Sequence, residues 1–222
     1  MARRADLPSR PGLEHEARLW ASGLGRLAGV DEAGRGAWAG PVVAAAVILP
    51  QDDPRLQHRL EGVRDSKQMT ARQRELWAGR ILDVALAVGV GVTSSEEVDE
   101  LGLITATRRA MRQAIDALRP APDHLLIDHL LLRGVSIPQT PLTHGDALCL
   151  SIAAASVIAK VSRDRHMAEL ELAWPGYGFA VHKGYGTRLH QAALTRLGPS
   201  PVHRRTYAPV ALRLNLDPSP DN

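Results

Sequence analysis

The chain has 222 residues, 45% of them hydrophobic and 23% charged but only 4% aromatic, which suits one compact domain with a core of Ala, Val, Leu and Ile. A formal charge of +3 permits an anionic partner without requiring one. The single cysteine, Cys149, excludes a disulfide framework or a multi-thiolate metal site, and no apolar run approaches the roughly 18 residues of a membrane span. A reducing, cytoplasmic setting is expected.

Residues 1–12 lack the apolar stretch of a secretory signal and are expected to form a disordered leader. One folded domain over 13–212 and a flexible tail over 213–222 should follow. Leu13 to Leu24 has helical spacing. Arg26 to Asp31 predicts a strand ending in a glycine-rich turn, Ala33-Gly-Arg-Gly-Ala-Trp-Ala-Gly40. Val42 to Leu49 is a second apolar strand, too close behind for an intervening helix, so these two should be antiparallel neighbours. Thr70 to Leu82 predicts a helix capped near Thr70 or Ser66. Val84 to Thr93 predicts a third strand, where Gly89 and Gly91 suggest close backbone approach or a bulge. The next helix is capped by Ser94 or Ser95, buries Leu101, Ile104, Thr105, Ala110, Ile115 and Leu118, and stops at Pro120 and Pro122. His124 to Asp128 is a short buried strand and Gln139 to His144 another. Ala147 to Leu172 is a long helix, whose small residues Ala153-Ala-Ala-Ser-Val157 allow close packing. This order indicates an α/β domain with a mixed sheet.

Acidic residues stand where apolar elements begin or end. Asp31 and Glu32 close the first strand, Asp128 closes Leu125-Leu-Ile127, and Asp146 opens the long helix. Strand ends gather at one edge of an α/β sheet, where open-sheet folds place their sites. Four carboxylates gathered there repel one another unless cations lie between them. Oxygen ligands in that number suit Mg²⁺ or Mn²⁺ rather than zinc. Paired ions about 3.5–4 Å apart can activate water and stabilise the leaving oxygen in phosphodiester cleavage. Each residue also has a plainer reading: Asp146 as a helix N-cap, Asp128 as a turn residue, Asp31-Glu32 as the start of a loop. Taken together, the four favour a metal site.

The segments Gly29-Val-Asp-Glu-Ala-Gly-Arg-Gly36 and Ala39-Gly-Pro-Val42 resemble the signature of the ribonuclease HII family. The resemblance continues through Asp65-Ser-Lys-Gln-Met-Thr70, Gly145-Asp-Ala147, Ser151 to Val161 and Arg163-Asp-Arg165. It ends with Pro175-Gly-Tyr-Gly178, His182-Lys-Gly-Tyr-Gly-Thr187 and His203-Arg-Arg-Thr-Tyr207, in family order from about Arg26 to Val210. It implies a ribonuclease H-like fold, a five-stranded mixed sheet flanked by helices with a helical C-terminal part. It implies Asp31, Glu32, Asp128 and Asp146 as catalytic metal ligands for two Mg²⁺ or Mn²⁺ ions. The implied activity is cleavage of the RNA strand of RNA–DNA hybrids and cleavage 5′ of single ribonucleotides in duplex DNA, leaving 3′-hydroxyl and 5′-phosphate ends. Gly34-Arg35-Gly36 is implied to bring main-chain groups against a ribose, where the 2′-hydroxyl distinguishes RNA from DNA; a tight turn needing positive φ is its plainer reading. Tyr185 resembles a tyrosine that packs on the adjacent deoxyribose. Ser66, Lys67, His182, Lys183 and Arg188 resemble phosphate contacts, with Ser66, Lys67 and Lys183 preferred.

Two positions depart from the family pattern. His129 follows the third carboxylate where a small residue is common, and His144 precedes Gly145-Asp146 where lysine is common. Both are expected beside the site or at the surface, not as ligands, and Asp164 is expected to be a helix ion-pair partner. A type HIII ribonuclease would need an extra N-terminal domain, for which the roughly 25 residues before the first strand are too few. An inactive hybrid-binding protein is opposed by the four intact carboxylates. A monomer is expected, and the segment Arg213 to Asn222 lacks the aromatic pair of a sliding-clamp motif.

Overall fold

The computed structural model describes residues 7–215, so half of the expected leader (1–6) and most of the expected tail (216–222) lie outside the described residues. In chain order come α1 (Glu14–Ala21), β1 (Leu27–Ala33), β2 (Val42–Ile48), α2 (Leu56–Arg59), a 3-10 turn (Ser66–Gln68) and α3 (Ala71–Val84). Then come β3 (Ala87–Thr93), α4 (Ser95–Leu101), α5 (Leu103–Asp116), β4 (His124–Asp128) and β5 (Gln139–Leu142). The C-terminal part is helical: α6 (Gly145–Leu148), α7 (Leu150–Ala173), α8 (Phe179–His182), α9 (Arg188–Leu197) and α10 (Ala208–Ala211). No helix among the described residues is long and apolar enough to cross a membrane.

The five strands lie in the order β3-β2-β1-β4-β5. β2 runs antiparallel to β1 and β3, as the short connection between β1 and β2 requires, whereas β4 runs parallel to β1 and β5. One sheet face packs Ala28, Val30, Ala44 and Ala46 against Ala106, Ala110 and Ala114 of α5. The other packs Ala45 and Val47 against Ala153, Ala154 and Val157 of α7, with Ile81 of α3 alongside. Small residues at these contacts let backbones nearly touch. A Cβ on Gly29 would stand 2.1 Å from the Ser151 backbone, and Cβ atoms on Gly89 and Gly91 would stand 2.0 Å from the Ala114 and Ala110 carbonyl oxygens. Since β3 pairs with β2 without a skipped residue, Gly89 and Gly91 serve close approach and not a bulge.

The structure corrects several local expectations. Thr70, not Ser66, caps α3, through a capping box with Gln73. Val84 belongs to that helix, so β3 starts at Ala87. The helix expected after Ser94 is two helices, because Gly102 takes φ +76° and resets the helical phase. Leu101, Ile104 and Thr105 are therefore exposed, while Ala106, Ala110, Met111, Ala114 and Ile115 form the buried side. The long helix is interrupted at Cys149, which is extended and bridges to Gly12. There the Gly12 amide donates to the Leu148 carbonyl (3.1 Å) and its carbonyl accepts from the Leu150 amide (2.9 Å). Asp146 consequently sits inside the one-turn α6, whose N-cap is His144, and is not itself a cap.

Candidate active site

Strand pairing explains why the carboxylates meet. β1 and β4 are parallel, with Val30 opposite Ile127, so Asp31 and Asp128 follow at the same edge of the sheet. β5 pairs Leu142 with Asp128, and the chain then turns directly into α6. The Gly145 amide donates to Asp128 Oδ1 at 2.8 Å, which fastens the turn bearing Asp146 to the end of β4. A Cβ on Gly145 would lie 2.6 Å from Ile152 Cδ1 and 3.4 Å from Asp128 Oδ1, so a side chain before Asp146 would have to displace the end of the buried Ile152 side chain. His129 and His144 flank this joint, both exposed and both at φ 59°. Left-handed backbone explains why a residue without a side chain suits the position after Asp128.

The cluster is buried and electrostatically strained. Burial, then Glu32, Asp128 and Asp146, holds the Asp31 carboxyl well above the usual carboxylate range. Burial also raises Glu32, against the lowering effect of Arg35, whose guanidinium stands 3.2 Å away. Asp146 is pushed up to about 6 by burial and by Asp65 and Asp128. Lys67 stands among these groups: burial works to lower its pKa, but Asp65, Asp31, Asp146 and Asp128 outweigh that and raise it. Glu32 Oε2 is buried and makes no hydrogen bond. An all-oxygen, mutually repelling set with one bare buried oxygen fits a hard divalent cation by its chemistry. Among the described residues no three His, Cys, Asp or Glu side chains are already arranged to hold an ion, so binding one requires side-chain adjustment.

Beside the carboxylates lies a groove of about 300 Å³ lined by Glu32, Ala33, Gly34, Arg35, Gly36, Ser66, Lys67, Ser156, Lys160 and Tyr185. Its loop is held from beneath by the C-terminal part. Arg204, fully buried, donates to the carbonyls of Arg35 (2.7 Å) and Gly40 (3.0 Å), and Tyr207 also donates to the Arg35 carbonyl. The two glycines of the loop differ. Gly34 takes φ +96°, and a Cβ there would lie 2.0 Å from Arg163 Nε. Gly36 is exposed, lies outside the left-handed range, and a Cβ there would meet nothing within 4 Å. Positive φ therefore explains Gly34 but not Gly36. Across the groove, Tyr185 is half-buried, with Arg163 5.2 Å and Lys160 5.6 Å from its ring centre.

Other expected contacts separate. The Ser66 hydroxyl is buried 2.9 Å from that of Ser156, although Ser66 still lines the groove. Lys183 is placed in an adjoining depression of about 440 Å³ with Arg74, Glu75, Lys160, Asp164 and Arg165. His182 is buried, with both ring nitrogens engaged by Tyr177 and Gly184, and is withdrawn as a phosphate contact; Arg188 is exposed at the start of α9. Asp164 pairs with Lys160 and Arg74, as expected of an ion-pair partner. A larger cavity, about 670 Å³, includes Glu96, Asp99, Glu100 and Arg205 in its walls and contains none of the expected site residues.

Sequence reasoning missed Asp65, which caps the 3-10 turn by accepting from the Lys67 amide and hydrogen-bonds to Asp146. It also missed Lys160, which lines both depressions, and the buried arginines Arg163 and Arg204. All but Lys160 adjoin or sit in charged motif blocks; Lys160 is the first charged residue of α7 after a run of apolar residues and serines from Leu150 to Ala159, and that was the available signal.

A family model described as Ribonuclease HII matches residues 28–210. The chain is 52% identical over 207 residues to a curated ribonuclease HII of Dehalococcoides mccartyi, covering 93% of this chain and 97% of the relative. Its structure is similar to that of ribonuclease H2 from Pyrococcus horikoshii OT3, with TM-score 0.70 and 26% identity over 86% of this chain and 97% of the other. A ribonuclease HIII, Bst-RNase HIII solved in complex with Mn²⁺, shares the fold with TM-score 0.67 and 22% identity, over 89% of this chain and 72% of the other.

Proposed function

Because the chain belongs to the ribonuclease HII family, and is thereby an endoribonuclease of the ribonuclease H type acting on RNA–DNA hybrids, we propose that it also cuts 5′ of single ribonucleotides embedded in duplex DNA. The products would carry 3′-hydroxyl and 5′-phosphate ends. The observation that carries this reading is that Glu32 belongs both to the acidic cluster and to the groove containing Gly34, Gly36 and Tyr185. A sugar seated on the loop presents its phosphodiester to the carboxylates.

Asp31, Glu32, Asp128 and Asp146 would hold two divalent ions, Mg²⁺ or Mn²⁺, which when bound supply an activated water and stabilise the leaving oxygen. The remaining residues position the duplex. Main-chain groups of Gly34-Arg35-Gly36 test for the 2′-hydroxyl, which exposed Gly36 allows to approach closely. The Tyr185 ring packs on the next sugar and favours deoxyribose there. Ser66 and Lys67 in the groove, and Lys183 in the adjoining depression, meet backbone phosphates, which set register without reading sequence. Lys67 also offsets the charge of the acidic cluster, so it links strand binding to the reacting phosphate. The protein would work as a monomer in the cytoplasm, with the duplex as its partner.

The test is a duplex holding one ribonucleotide, incubated with and without Mg²⁺, beside a continuous hybrid. Metal-dependent cleavage on the 5′ side of the ribonucleotide is expected. Binding of both duplexes without cleavage would mean an inactive hybrid-binding protein. Tyr185→Ala should lose far more activity on the single ribonucleotide than on the hybrid, and equal losses would leave Tyr185 as a packing residue.

A further inference from the structure

The C-terminal part holds three buried histidines that the reaction does not use. His182 and His190 stack with ring centres 4.3 Å apart, and His190 and His203 approach with their Nε2 atoms 3.0 Å apart. Phe179 lies against all three rings. Their protonation can be deduced from partners that can only donate. The Ser200 amide donates to His203 Nδ1 at 3.0 Å, so that nitrogen is bare and the His203 proton is on Nε2. His203 Nε2–H therefore donates to His190 Nε2, which leaves the His190 proton on Nδ1. His190 Nδ1–H in turn donates to the Tyr185 carbonyl at 3.1 Å. By the same logic the Gly184 amide, donating to His182 Nδ1 at 3.1 Å, places the His182 proton on Nε2, directed at the Tyr177 carbonyl 2.8 Å away.

We propose that Ser200, His203 and His190 form a directed hydrogen-bond relay that sets the backbone of Tyr185, making His190 and His203 positioning residues for the recognition of a single ribonucleotide. The inference rests on the sugar-packing role of Tyr185 given above. Three successive carbonyls of this loop are held by separate parts of the fold: Lys183 by Arg163 Nη1 (2.9 Å), Gly184 by the Trp38 amide (2.8 Å), and Tyr185 by His190 together with the Thr187 amide (2.8 Å). Lys183 and Gly184 both have positive φ, at 54° and 77°; glycine takes this freely, but for Lys183 it persists only when the surroundings enforce it. The relay operates only with neutral rings, because a second proton would set two N–H groups against each other across 3.0 Å, on His190 Nε2 against His203 Nε2–H and on His203 Nδ1 against the Ser200 amide. Burial supports this, pushing His190 and His203 down to about 4.

The test combines kinetics and spectroscopy. His190→Leu removes the donor to Tyr185, whereas His190→Asn keeps an N–H close to the place of Nδ1. On the single-ribonucleotide duplex, His190→Leu should lower kcat/KM about tenfold or more, as expected when a recognition group shifts by a fraction of an ångström. The continuous hybrid should be much less affected, and His190→Asn should recover a substantial part of the loss. In a Tyr185→Ala background His190→Leu should add little, because both changes remove the same contact. If Tyr185→Ala is selective but His190→Leu is not, or the two effects add fully, the relay proposal fails while the Tyr185 reading stands. If Tyr185→Ala is itself unselective, that reading fails and the proposal with it. Long-range proton–nitrogen NMR of the unmodified protein gives a check independent of variant folding. Neutral His190 with Nδ1–H and neutral His203 with Nε2–H are expected at pH 7, and any other tautomer or a charged ring at either position overturns the relay.

Discussion

Replacing Gly36 with alanine should separate recognition from stability. A Cβ there meets no heavy atom within 4 Å and the backbone is not left-handed, so the fold has no steric reason to resist the change. Restricting the unfolded chain then stabilises the protein by about 0.4–1 kcal/mol, a rise of roughly 1–4 °C in Tm for a domain of this size. The methyl group, however, projects from an exposed loop position into the proposed sugar site. A hydroxyl hydrogen-bonded to main chain lies about 2.9 Å from its partner, whereas a methyl group holds atoms off to nearly 4 Å. A displacement of about 1 Å costs roughly 100-fold in rate, equivalent to about 2.7 kcal/mol. We therefore expect kcat/KM to fall about 100-fold on both a single-ribonucleotide duplex and a continuous hybrid, since each presents a 2′-hydroxyl to the loop. The assay is steady-state cleavage of both substrates at fixed salt and Mg²⁺, paired with thermal melts. Near-normal activity would refute close approach of a sugar at Gly36, and a lowered Tm would show that the glycine serves the fold. Gly34→Ala is the contrasting control: with φ +96° and a Cβ 2.0 Å from Arg163 Nε and 2.8 Å from the Pro41 carbonyl oxygen, it should melt earlier as well as lose activity.

Other predictions address the carboxylates and the duplex. Asp31→Asn and Asp128→Asn should each abolish nearly all cleavage with the fold retained, and near-normal turnover with Mg²⁺ would remove that residue from the site. Asp31→Asn should also raise Tm in chelator, because burial and its neighbours oppose the charge it carries. For Asp146, a folded pKa of about 6 against an ordinary 3.8 means the native state binds more protons between those values, so this carboxylate costs stability as pH rises through 6. Asp146→Asn should thus stabilise the metal-free protein at pH 8, with the gain vanishing below pH 4; a gain independent of pH in denaturant titrations would contradict the assignment. Lys67→Ala should weaken all duplex sequences alike and reduce the log–log salt slope of binding by about 0.9, and an unchanged slope would exclude a phosphate contact.

The sequence by itself determined the elements and the identity of the candidate ligands, because those signals are local. Val42 to Leu49 is apolar enough to be a strand on composition alone, and the short link from Asp31 leaves it no choice but to run antiparallel. Asp31, Glu32, Asp128 and Asp146 stand in motifs whose order along the chain is itself informative. Tertiary structure decided whatever depends on partners far away in sequence. Cys149 interrupts an otherwise continuous helical pattern because Gly12, 137 residues earlier, docks beside it. The phase of α5 follows a left-handed Gly102 that helical periodicity does not register. Gly34 and Gly36 look equivalent in the motif, and only the Arg163 side chain of α7, packed under the first, makes their demands differ. Arg163, Arg204, His190 and His203 look like surface residues by type, since burying such groups is costly unless every polar atom finds a partner. Most of their partners are main-chain carbonyls, one of them 169 positions away, and main-chain groups leave no mark on the sequence that binds them.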